Sequence, residues 1–532
     1  MNPNKICFIT CVNDEEVYQE SLFYINRLVI PEGFAIETIK IKNANCITKA
    51  YNSALQSSDA KYKVYLHQDV FIINKNFLTA SIDLFLNYPN LGMLGVTGST
   101  QVPTNGVWLE SRKNYGKGYD SHSGKLQLLS FHEVSGEYQS VQVVDGAILI
   151  TQYDIPWRDD IFTGWHFYDL SHSLEFIRAG LQIGIPRQIE PWCIHDNRVP
   201  NTSNGLEAYK RIFLEEYSKD IFPLVSILIP TYNRPDYFKL ALDSAVNQTY
   251  KNIEIIVGDD STDNRTENLV QKEYLGHYNN IVYYHNKKNL GQFDNDLKLF
   301  AMAKGEYINY LMDDDLFQLT KIEKMMNYFV FDDSKKLSLV TSNRMIIDET
   351  GRDKGIFANA DKIFKADTWI TGEEVVTAML LQSFNFIGEP TTVLFRKAAL
   401  TEPFGTFAGR RYGCNVDQAS WFNLLENGNV VYIAEVLSYF RVHSAQQLQS
   451  NKMKLLGACD SAHTVLTTRY KGVLKDNNHF KSALQNCINY CHWVKTELQQ
   501  SESIQEYHNE WTEFENWCRN LSAQYDLLLQ AE

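Results

Sequence analysis

Three adjacent carboxylates, Asp313 to Asp315, follow the apolar segment EYINYLM at residues 306–312. Carboxylates beside a buried strand are costly unless a counter-charge neutralises them. A hard divalent cation prefers oxygen ligands and can also bridge them to a diphosphate. The run therefore predicts a metal site that holds a phosphorylated ligand, with a solvated acidic loop as the alternative.

Polar segments also follow two apolar runs, VSILIP at 225–230 and IEIIVG at 253–258. The first run leads into PTYN at 230–233, and the second leads into DDSTD at 259–263. Ligands of open α/β sheets bind beyond the carboxyl ends of the strands, so both segments are expected to face a ligand. For residues 260–263 the alternative is a simple helix cap.

The same residue types recur in the two halves of the chain. Asp69 precedes His195 by almost the same interval at which Asp314 precedes His443. Asp69 follows the apolar run YKVYLHQ, much as Asp314 follows YINYLMD. The recurrence predicts an internal repeat rather than one large domain.

Two further pairs keep the same order. The interval from Asp169 to the histidine of its half equals the interval from Asp417 to the histidine of the other half, and each aspartate opens a helix-like stretch. Asn52 and Asn295 precede the aspartate that follows the apolar run by nearly equal intervals. Four ordered matches predict two copies of one fold.

Short apolar runs alternate with longer mixed segments in both halves, which is typical of α/β architecture with a largely parallel sheet. One such run, VQVVDGAILI at 141–150, is expected to be a buried strand. A polar lead and a proline before VSILIP predict a domain boundary near 218–224. The polar segment 448–532 lacks proline and is expected to be helical. The predicted domains are 1–220, 221–447 and 448–532.

Composition limits the classes of function. The chain has 532 residues, of which 44% are hydrophobic, as in ordinary globular proteins. Its net charge of −14 makes it a poor candidate for a nucleic-acid binder, which needs a basic surface. Its nine cysteines form no CxxC pair, which disfavours a zinc ribbon or a disulfide framework. It has neither a signal-peptide pattern nor an apolar run of membrane-spanning length, so we expect a cytoplasmic protein without a membrane span.

Residues 224–320 carry a specific set of motifs: VSILIPTYNRP, IEIIVGDDSTD, NKKNLGQFDND and EYINYLMDDDL. In order and spacing they resemble the family 2 glycosyltransferases, which use nucleotide-sugars and have the GT-A fold. The resemblance implies a fold of two tandem GT-A domains, Rossmann-like and nucleotide-sugar-binding, followed by a C-terminal helical region. It also implies Mn²⁺ or Mg²⁺ and a nucleotide-sugar donor, with a UDP-sugar expected.

In the second copy the resemblance implies a role for each motif residue. Those expected to bind the donor are Pro230, Tyr232, Asn233, Asp260, Asn295 and Asp313. Asp260 would accept the ring N–H of uracil. The residues expected to bind the metal are Asp314, Asp315 and His443. Met312 stands where the family has its first aspartate, so Asp314 is the expected direct metal ligand.

The acceptor side of the second copy is expected at SFNFIGEPTTVLFRK, through Glu389 and Pro390. Asp417 stands where the family has its catalytic base, a carboxylate that takes the proton of the attacking sugar hydroxyl. The alternative for Asp417 is a helix N-cap. For His443 the alternative is an ordinary loop or core histidine.

The first copy resembles the family more distantly, through FITCVND, KNANCITKAYNSAL, YLHQDVFI, VVDGAILIT, FTGWHFYDLSHSLEFIRAG and WCIHDN. The resemblance implies donor binding by Thr10, Asn13, Asn52 and His67, metal binding by Asp69 and His195, acceptor contacts by Asp145 and Gly146, and catalysis by Asp169. A histidine in the metal-binding segment favours Mn²⁺ over Mg²⁺. No DDGSTD-like segment follows the second strand pattern, so no residue is assigned to the nucleobase.

These implications predict a bifunctional, metal-dependent glycosyltransferase that adds two sugars in sequence, with inversion, to a glycan or glycoprotein of bacterial type. One alternative is a processive two-sugar polysaccharide synthase. Another is a single active C-terminal transferase beside a non-catalytic, glycan-binding N-terminal domain. A glycan-binding scaffold without catalysis is disfavoured by the two Asp/His sets. The helical region is either a bundle packed on the second domain or a module for acceptor binding or homo-oligomerisation.

Overall fold

The computed structural model describes residues 1–196, 205–357, 364–443, 450–499 and 507–531. The chain divides into two compact units, Met1–Phe222 and Pro223–Glu532. The expected boundary at 447/448 lies outside the described residues. No helix among the described residues has the length and apolar character needed to cross a membrane.

The first unit is built on a mixed sheet with strand order β2-β1-β3-β11-β5-β12-β9. A smaller sheet has the order β10-β6-β7-β13-β4, with β8 paired to β7. The strands are β1 (Asn2–Val12), β2 (Ala35–Lys42), β3 (Ala60–Leu66), β4 (Val70–Ile72), β5 (Leu91–Gly95), β6 (Thr97–Ser99), β7 (Asn114–Asp120), β8 (Gln127–Ser130), β9 (Tyr138–Ser140), β10 (Val143–Val144), β11 (Ile148–Thr151), β12 (Gln182–Pro186) and β13 (Cys193–His195). The helices are α1 (Glu15–Ile25), α2 (Ile47–Ser57), α3 (Phe77–Asn87), α4 (Tyr168–Arg178) and α5 (Leu206–Ile221).

The second unit has a larger sheet with strand order β16-β15-β14-β17-β22-β19-β25-β18, with β20 and β21 at its margins and a separate β23–β24 pair. The strands are β14 (Val225–Thr231), β15 (Ile253–Asp259), β16 (Ile281–His285), β17 (Tyr307–Tyr310), β18 (Leu316–Phe317), β19 (Leu337–Ile347), β20 (Asp353–Ile356), β21 (Thr368–Thr371), β22 (Leu394–Arg396), β23 (Thr406–Phe407), β24 (Arg410–Arg411) and β25 (Asn429–Arg441). The helices are α6 (Pro235–Val246), α7 (Arg265–Glu273), α8 (Gln292–Met302), α9 (Lys321–Val330), α10 (Gly372–Gln382), α11 (Val416–Leu425), α12 (Asn451–Tyr470), α13 (Asn477–Gln499) and α14 (His508–Ala531).

The two main sheets share a common core. In the first unit β1 pairs in parallel with β2 and β3, β11 lies antiparallel between β3 and β5, and β12 is parallel to β5. The strands β15, β14, β17, β22, β19 and β25 of the second unit repeat the order and the directions of β2, β1, β3, β11, β5 and β12. The prediction of tandem GT-A domains followed by helices is confirmed.

One predicted strand is wrong in detail. The segment 141–150 is divided between two sheets, because β10 pairs with β6 whereas β11 pairs with β3. The chain changes sheets between Val144 and Ile148, and Asp145 and Gly146 lie at this break. The break therefore places Asp145 and Gly146 beside the end of β3, where the N–H of His67 donates to the carbonyl of Ala147 at 3.3 Å.

The C-terminal helices share one hydrophobic core with the second α/β domain. Leu455, Ala458 and Cys459 of α12 belong to the same buried cluster as Trp421 of α11 and Phe404. Burial of apolar side chains is the main favourable term in folding, so the helices and this domain stabilise each other.

Candidate active site

The acidic run of the second domain lies between β17 and β18. Because β14 pairs in parallel with both β15 and β17, the carboxyl ends of these strands meet at one sheet edge. The segments 230–233, 259–263 and 313–315 therefore converge there. Antiparallel pairing of β18 with the end of β25 brings the residues after Arg441 to the same place.

A guanidinium group lies on the acidic run. Arg234 Nη1 is 2.9 Å from Asp314 Oδ2 and 3.4 Å from Asp313 Oδ1. His443 Nε2 lies 2.9 Å from the same Asp314 oxygen. Asp313 also accepts a hydrogen bond from Thr231 Oγ1 at 2.9 Å, and burial, followed by repulsion from Asp314, raises its pKa to about 6. The charge at Asp314 is thus compensated by groups of the chain itself.

The third carboxylate of the run faces inward. Asp315 is 1% exposed, and its two oxygens accept hydrogen bonds from Thr391 Oγ1 at 2.7 Å and from the N–H of Arg441 at 3.0 Å. Burial, followed by repulsion from Asp314, raises its pKa. Asp315 ties the acidic run to β25, and both of its oxygens already have internal donors.

A buried network surrounds Asp260 at the end of β15. Its Oδ1 accepts a hydrogen bond from Asn286 Nδ2 at 2.7 Å, and its Oδ2 accepts one from the N–H of Leu290 at 3.1 Å. Asn295 donates to the carbonyl of Gly258 at 2.8 Å, and its own oxygen accepts from Asn286 at 3.1 Å. Asp260 therefore fixes the loop that leads into α8, and Asn295 supports that loop from within.

The loop after β14 supplies the other donor-side residues. Pro230 is buried within the strand, whereas Tyr232 is 45% exposed. Asn233 has a left-handed backbone with φ of 56°. Its N–H donates to Ser261 Oγ at 2.8 Å, and its side-chain oxygen accepts from the N–H of Thr262 at 3.0 Å. These bonds lock the two loops together.

Asp417 lies in the first turn of α11, where the N-cap residue is Asn415. Its Oδ2 accepts a hydrogen bond from Asn385 Nδ2 at 3.0 Å. Burial raises the pKa of Asp417 to about 7. Its carboxylate can therefore take up a proton near neutral pH.

An ion pair lies beside this carboxylate. Glu389 Oε2 is 2.6 Å from Arg344 Nε, and the Arg344 side chain is 2% exposed. Trp421 of α11 donates its indole N–H to the carbonyl of Gly388 at 2.9 Å. Pro390 begins the short 3-10 helix Pro390–Thr392 that follows. The expected acceptor segment is thus held against the helix that carries Asp417.

In the first domain, two histidines and a carboxylate form a compact cluster. The ligand atoms of His67, Asp69 and His195 all lie within 4.8 Å of one another. His67 follows β3, and the antiparallel pairing of β13 with β4 sets His195 opposite Val70, next to Asp69. This donor set of two imidazoles and one carboxylate fits a transition metal such as Mn²⁺.

Each histidine of the cluster is oriented by a second partner. His195 Nδ1 lies 3.3 Å from Asp120 Oδ2, while its Nε2 faces His67 Nδ1 at 3.4 Å. His67 Nε2 is 2.6 Å from the hydroxyl of Tyr168. Histidines that bind metals usually have such a partner on the other ring nitrogen. The cluster therefore has the form of a metal site with its supporting contacts in place.

The pKa values of the two imidazoles are shifted in opposite directions. Burial, followed by the neighbouring His195, lowers the pKa of His67 to about 4, so His67 is neutral and able to bind a metal. Burial opposes a charge on His195 too, but contacts with Asp120 and Asp69 outweigh it and raise its pKa. The cluster attracts positive charge through its carboxylates.

Asp169 lies in the first turn of α4, as Asp417 does in α11. Its Oδ2 accepts a hydrogen bond from the N–H of Gly146 at 2.9 Å. Burial, followed by the charge of Asp145, raises its pKa to about 7. A side chain at position 146 would meet the Tyr168 hydroxyl at 2.3 Å, so the close approach requires glycine.

A cavity of about 280 Å³ lies beside the metal-type cluster of the first domain. Asn43, which follows β2 with φ of 54°, lines it, together with Trp165, which is 41% exposed. Val12 and Thr231 are the last residues of the equivalent strands β1 and β14. Val12 pairs with Lys42 of β2, and Thr231 pairs with Asp259 of β15. Asn43 therefore occupies in the first domain the position that Asp260 occupies in the second.

The other donor-side residues of the first domain divide between this cavity and the interior. Asn13 lines the cavity, and its N–H donates to Gln68 Oε1 at 2.9 Å. Thr10 is 1% exposed within β1. The Asn52 amide donates to the carbonyl of Trp157 at 2.9 Å and accepts from the Trp157 N–H at 2.9 Å. Thr10 and Asn52 thus support the site from the interior of the domain.

Two parts of the chain match known families. Residues 7–217 match a family described as "Glycosyltransferase like family", and residues 226–400 match "Glycosyl transferase family 2". The chain is also 31% identical, over 44% of its length, to the Escherichia coli protein UDP-Glc:alpha-D-GlcNAc-diphosphoundecaprenol beta-1,3-glucosyltransferase WfaP, of which it covers 82%. The chain belongs to glycosyltransferase family 2.

Other relatives of this family 2 chain have less informative names. An uncharacterized glycosyltransferase of Rickettsia typhi is 32% identical over 42% of the chain. The chain spans 65% of that relative's length. Among solved structures, S. aureus TarS 1-349 in complex with UDP-GlcNAc is 17% identical, with a TM-score of 0.36, over 57% of this chain and 91% of TarS 1-349.

Sequence reasoning did not find several polar residues of these family 2 sites. Arg234 directly follows the PTYN segment, so its position next to a motif could have identified it as a site residue. Its contact with the acidic run could not be predicted from that position. Asn385 lies in the expected acceptor segment SFNFIGEPTTVLFRK but received no role there, and Arg344 belongs to a segment without a chemical motif. Asp120 and Tyr168 reach the first site from β7 and α4. Only the tertiary fold brings such groups together.

Proposed function

We propose that the protein is a bifunctional glycosyltransferase, with one transferase site in each α/β domain. The observation that carries this proposal is the pair Asp169 and Asp417. Each lies in the first turn of the equivalent helix, and burial raises the pKa of each to about 7. A general base is most effective when its pKa is near the working pH.

The proposed step is a single displacement with inversion at the sugar carbon. The acceptor hydroxyl attacks the anomeric carbon, and the bond from that carbon to the nucleotide diphosphate breaks. The hydroxyl proton passes to Asp169 or Asp417. In the second domain we expect Arg234, which contacts both Asp313 and Asp314, to lie close to the leaving diphosphate and to stabilise its charge.

We expect UDP-sugars as donors. The name of the Escherichia coli relative specifies UDP-Glc, and Asp260 of this chain lies just beyond the end of β15, at the sheet edge where ligands of such folds bind. A glycan acceptor is consistent with the polar pair Glu389 and Arg344 beside Asp417. The two domains would then act in sequence on one bacterial glycan or glycoprotein.

We propose that the first domain holds Mn²⁺ through His67, Asp69 and His195. The metal would supply positive charge for the leaving diphosphate. In the second domain Asp314 and His443 are close enough to share a cation, but Arg234 already occupies the Asp314 oxygen. The described residues there do not form a comparable three-ligand cluster, and Asp315 has both oxygens engaged.

In the absence of nucleotide, mutation of Asp69 should therefore weaken Mn²⁺ binding far more than mutation of Asp314. Asp69→Asn is expected to weaken Mn²⁺ binding at least about tenfold, since it removes the anionic ligand of the cluster. Asp314→Asn is the matched control and should leave the affinity within about twofold. Electron paramagnetic resonance titration of Mn²⁺ measures both. Loss of binding in Asp314→Asn alone would contradict the assignment.

The nucleobase site of the first domain is expected to be less selective than that of the second. An Asn43 amide both donates and accepts hydrogen bonds, whereas the Asp260 carboxylate only accepts. The amide can pair with the N3–H of uracil or with N3 and the amino group of cytosine. Asn43→Asp should therefore favour UDP over CDP by about tenfold relative to Asn43, since a good base contact contributes about 1–3 kcal/mol.

Calorimetric titration of UDP and CDP tests this expectation. Both proteins should carry Asp260→Ala, so that the second domain contributes less to the signal. An unchanged UDP/CDP ratio after Asn43→Asp would show that Asn43 does not contact the base.

The proposed function as a whole is tested by mass analysis of products. A panel of UDP-sugars should be offered to wild type, Asp69→Ala and Asp314→Ala with Mn²⁺ present. We expect each variant to lose a different sugar addition. If Asp69→Ala leaves every product unchanged, the first domain is not a transferase.

A further inference from the structure

The segment 410–415, which comprises β24 and the loop that follows it, leads directly into α11 and to Asp417. Its backbone is held by one side chain of the helical region. Asp460 Oδ2 of α12 accepts hydrogen bonds from the N–H groups of Gly413, Cys414 and Asn415 at 3.1, 2.9 and 3.1 Å. Because Asn415 is the N-cap of α11, these bonds fix the point at which the helix begins.

The Asp460 carboxylate is fully buried, with 0% exposure. A buried carboxylate is costly unless donors and a counter-charge surround it. Arg410 Nη2 lies 3.5 Å from its second oxygen, and three N–H groups converge on the first. A hydrophobic residue would satisfy the packing at this position without that cost, so packing alone does not account for an aspartate here.

Other contacts of α12 reinforce the same loop. The Asn415 amide lies 3.3 Å from the carbonyl of Gly457, and the Tyr412 hydroxyl lies 2.7 Å from Thr464 Oγ1. A side chain at position 457 would meet Cys414 Sγ at 3.3 Å, so a glycine lets the loop approach the helix closely. Helix α12 thus contacts every residue from 412 to 415.

We propose that Asp460 is a positioning residue for the second transferase site. Through Asp460 the C-terminal helices fix the point at which α11 begins and thereby the position of Asp417. This inference rests on the proposed role of Asp417 as the base. It assigns the helical region to the catalytic unit of the second domain, as a support for the base-bearing helix. A displacement of about 1 Å at a reacting group can reduce a rate about 100-fold.

The test compares Asp460→Ala with Val494→Ala in the full-length chain. Val494 is buried in α13, and its truncation loosens the same bundle without removing a bond to the 410–415 loop. Asp460→Ala is expected to lower kcat of the second transfer about 10–100-fold with donor KM unchanged. Val494→Ala should lower thermal stability but change kcat less than about threefold. Asp460→Asn retains an acceptor oxygen and should recover part of the rate.

Hydrogen–deuterium exchange gives a readout that does not depend on activity. Residues 412–425 are expected to exchange faster in Asp460→Ala than in Val494→Ala. Unchanged exchange there, or equal kcat values in the two variants, would overturn the inference. If Asp417→Asn retained full transfer, the proposed base would be wrong and this role of Asp460 would fall with it, while exchange would still show whether Asp460 fixes the loop.

Discussion

Replacing Asp417 by Asn is expected to slow the second transfer by about 10²- to 10⁴-fold, the usual contribution of a general base. Asn has nearly the same shape and can still accept the hydrogen bond from Asn385 Nδ2. The variant therefore removes proton uptake but keeps the local packing. Steady-state assays with a UDP-sugar should show a lower kcat with donor KM within about twofold.

The pH dependence of the wild-type protein follows from the same group. Burial raises the pKa of Asp417 to about 7, so the carboxylate is protonated and inactive as a base below that pH. The rate of the second transfer should rise as pH increases through about 7 and then level off. The residual rate of Asp417→Asn should lack this step. A wild-type rate that falls over the same interval would contradict a base at this position.

Asn385→Ala serves as the control for local damage. It removes the hydrogen bond to Asp417 but leaves the carboxylate, so it should retain much more activity than Asp417→Asn. If the two variants lose equal activity and equal thermal stability, the effect of Asp417→Asn reflects structure rather than proton transfer.

The repeat of the fold could be predicted because the sheet topology dictates sequence spacing. The interval from Asp169 to His195 recurs unchanged from Asp417 to His443. In both cases the aspartate opens a helix, and the histidine lies at or just after the end of a strand that returns to the acidic segment. A shared path through the fold preserves such an interval even where the motifs differ.

The inner side of each site could not be predicted in the same way. Asp315 and Asn295 belong to motifs, yet the structure engages their polar atoms in hydrogen bonds to Thr391, Gly258 and other internal partners. A motif shows that a polar residue occupies a position, but its partners come from distant segments. The contact of Arg234 with Asp314 likewise joins groups 80 residues apart.

The helical region illustrates the same limit. The polar segment after 448 is predicted to be helical, either as a bundle packed on the second domain or as a module for acceptor binding or homo-oligomerisation, and the structure packs α12 and α14 into one core with that domain. Helical periodicity predicts the type of an element and its apolar face. It does not predict which neighbouring domain covers that face.

Replacing Asp169 by Asn is expected to slow the first transfer by a similar factor, about 10²- to 10⁴-fold. Asp169 is 9% exposed, and Asn at this position can still accept the hydrogen bond from Gly146. The second domain should keep its rate, because Asp417 belongs to a separate compact unit. Mass analysis with the natural acceptor should then show that Asp169→Asn and Asp417→Asn block different sugar additions.

The two variants together distinguish two working sites from one. If the domains act in sequence, one variant should stop after the first sugar and the other should leave the acceptor unmodified. Mixing the two variant proteins should restore the two-sugar product, because each supplies the intact domain that the other lacks and the intermediate can pass between molecules. If Asp169→Asn gives the wild-type product alone and in every mixture, catalysis belongs to the second domain, and the His67–Asp69–His195 cluster must serve binding without transfer.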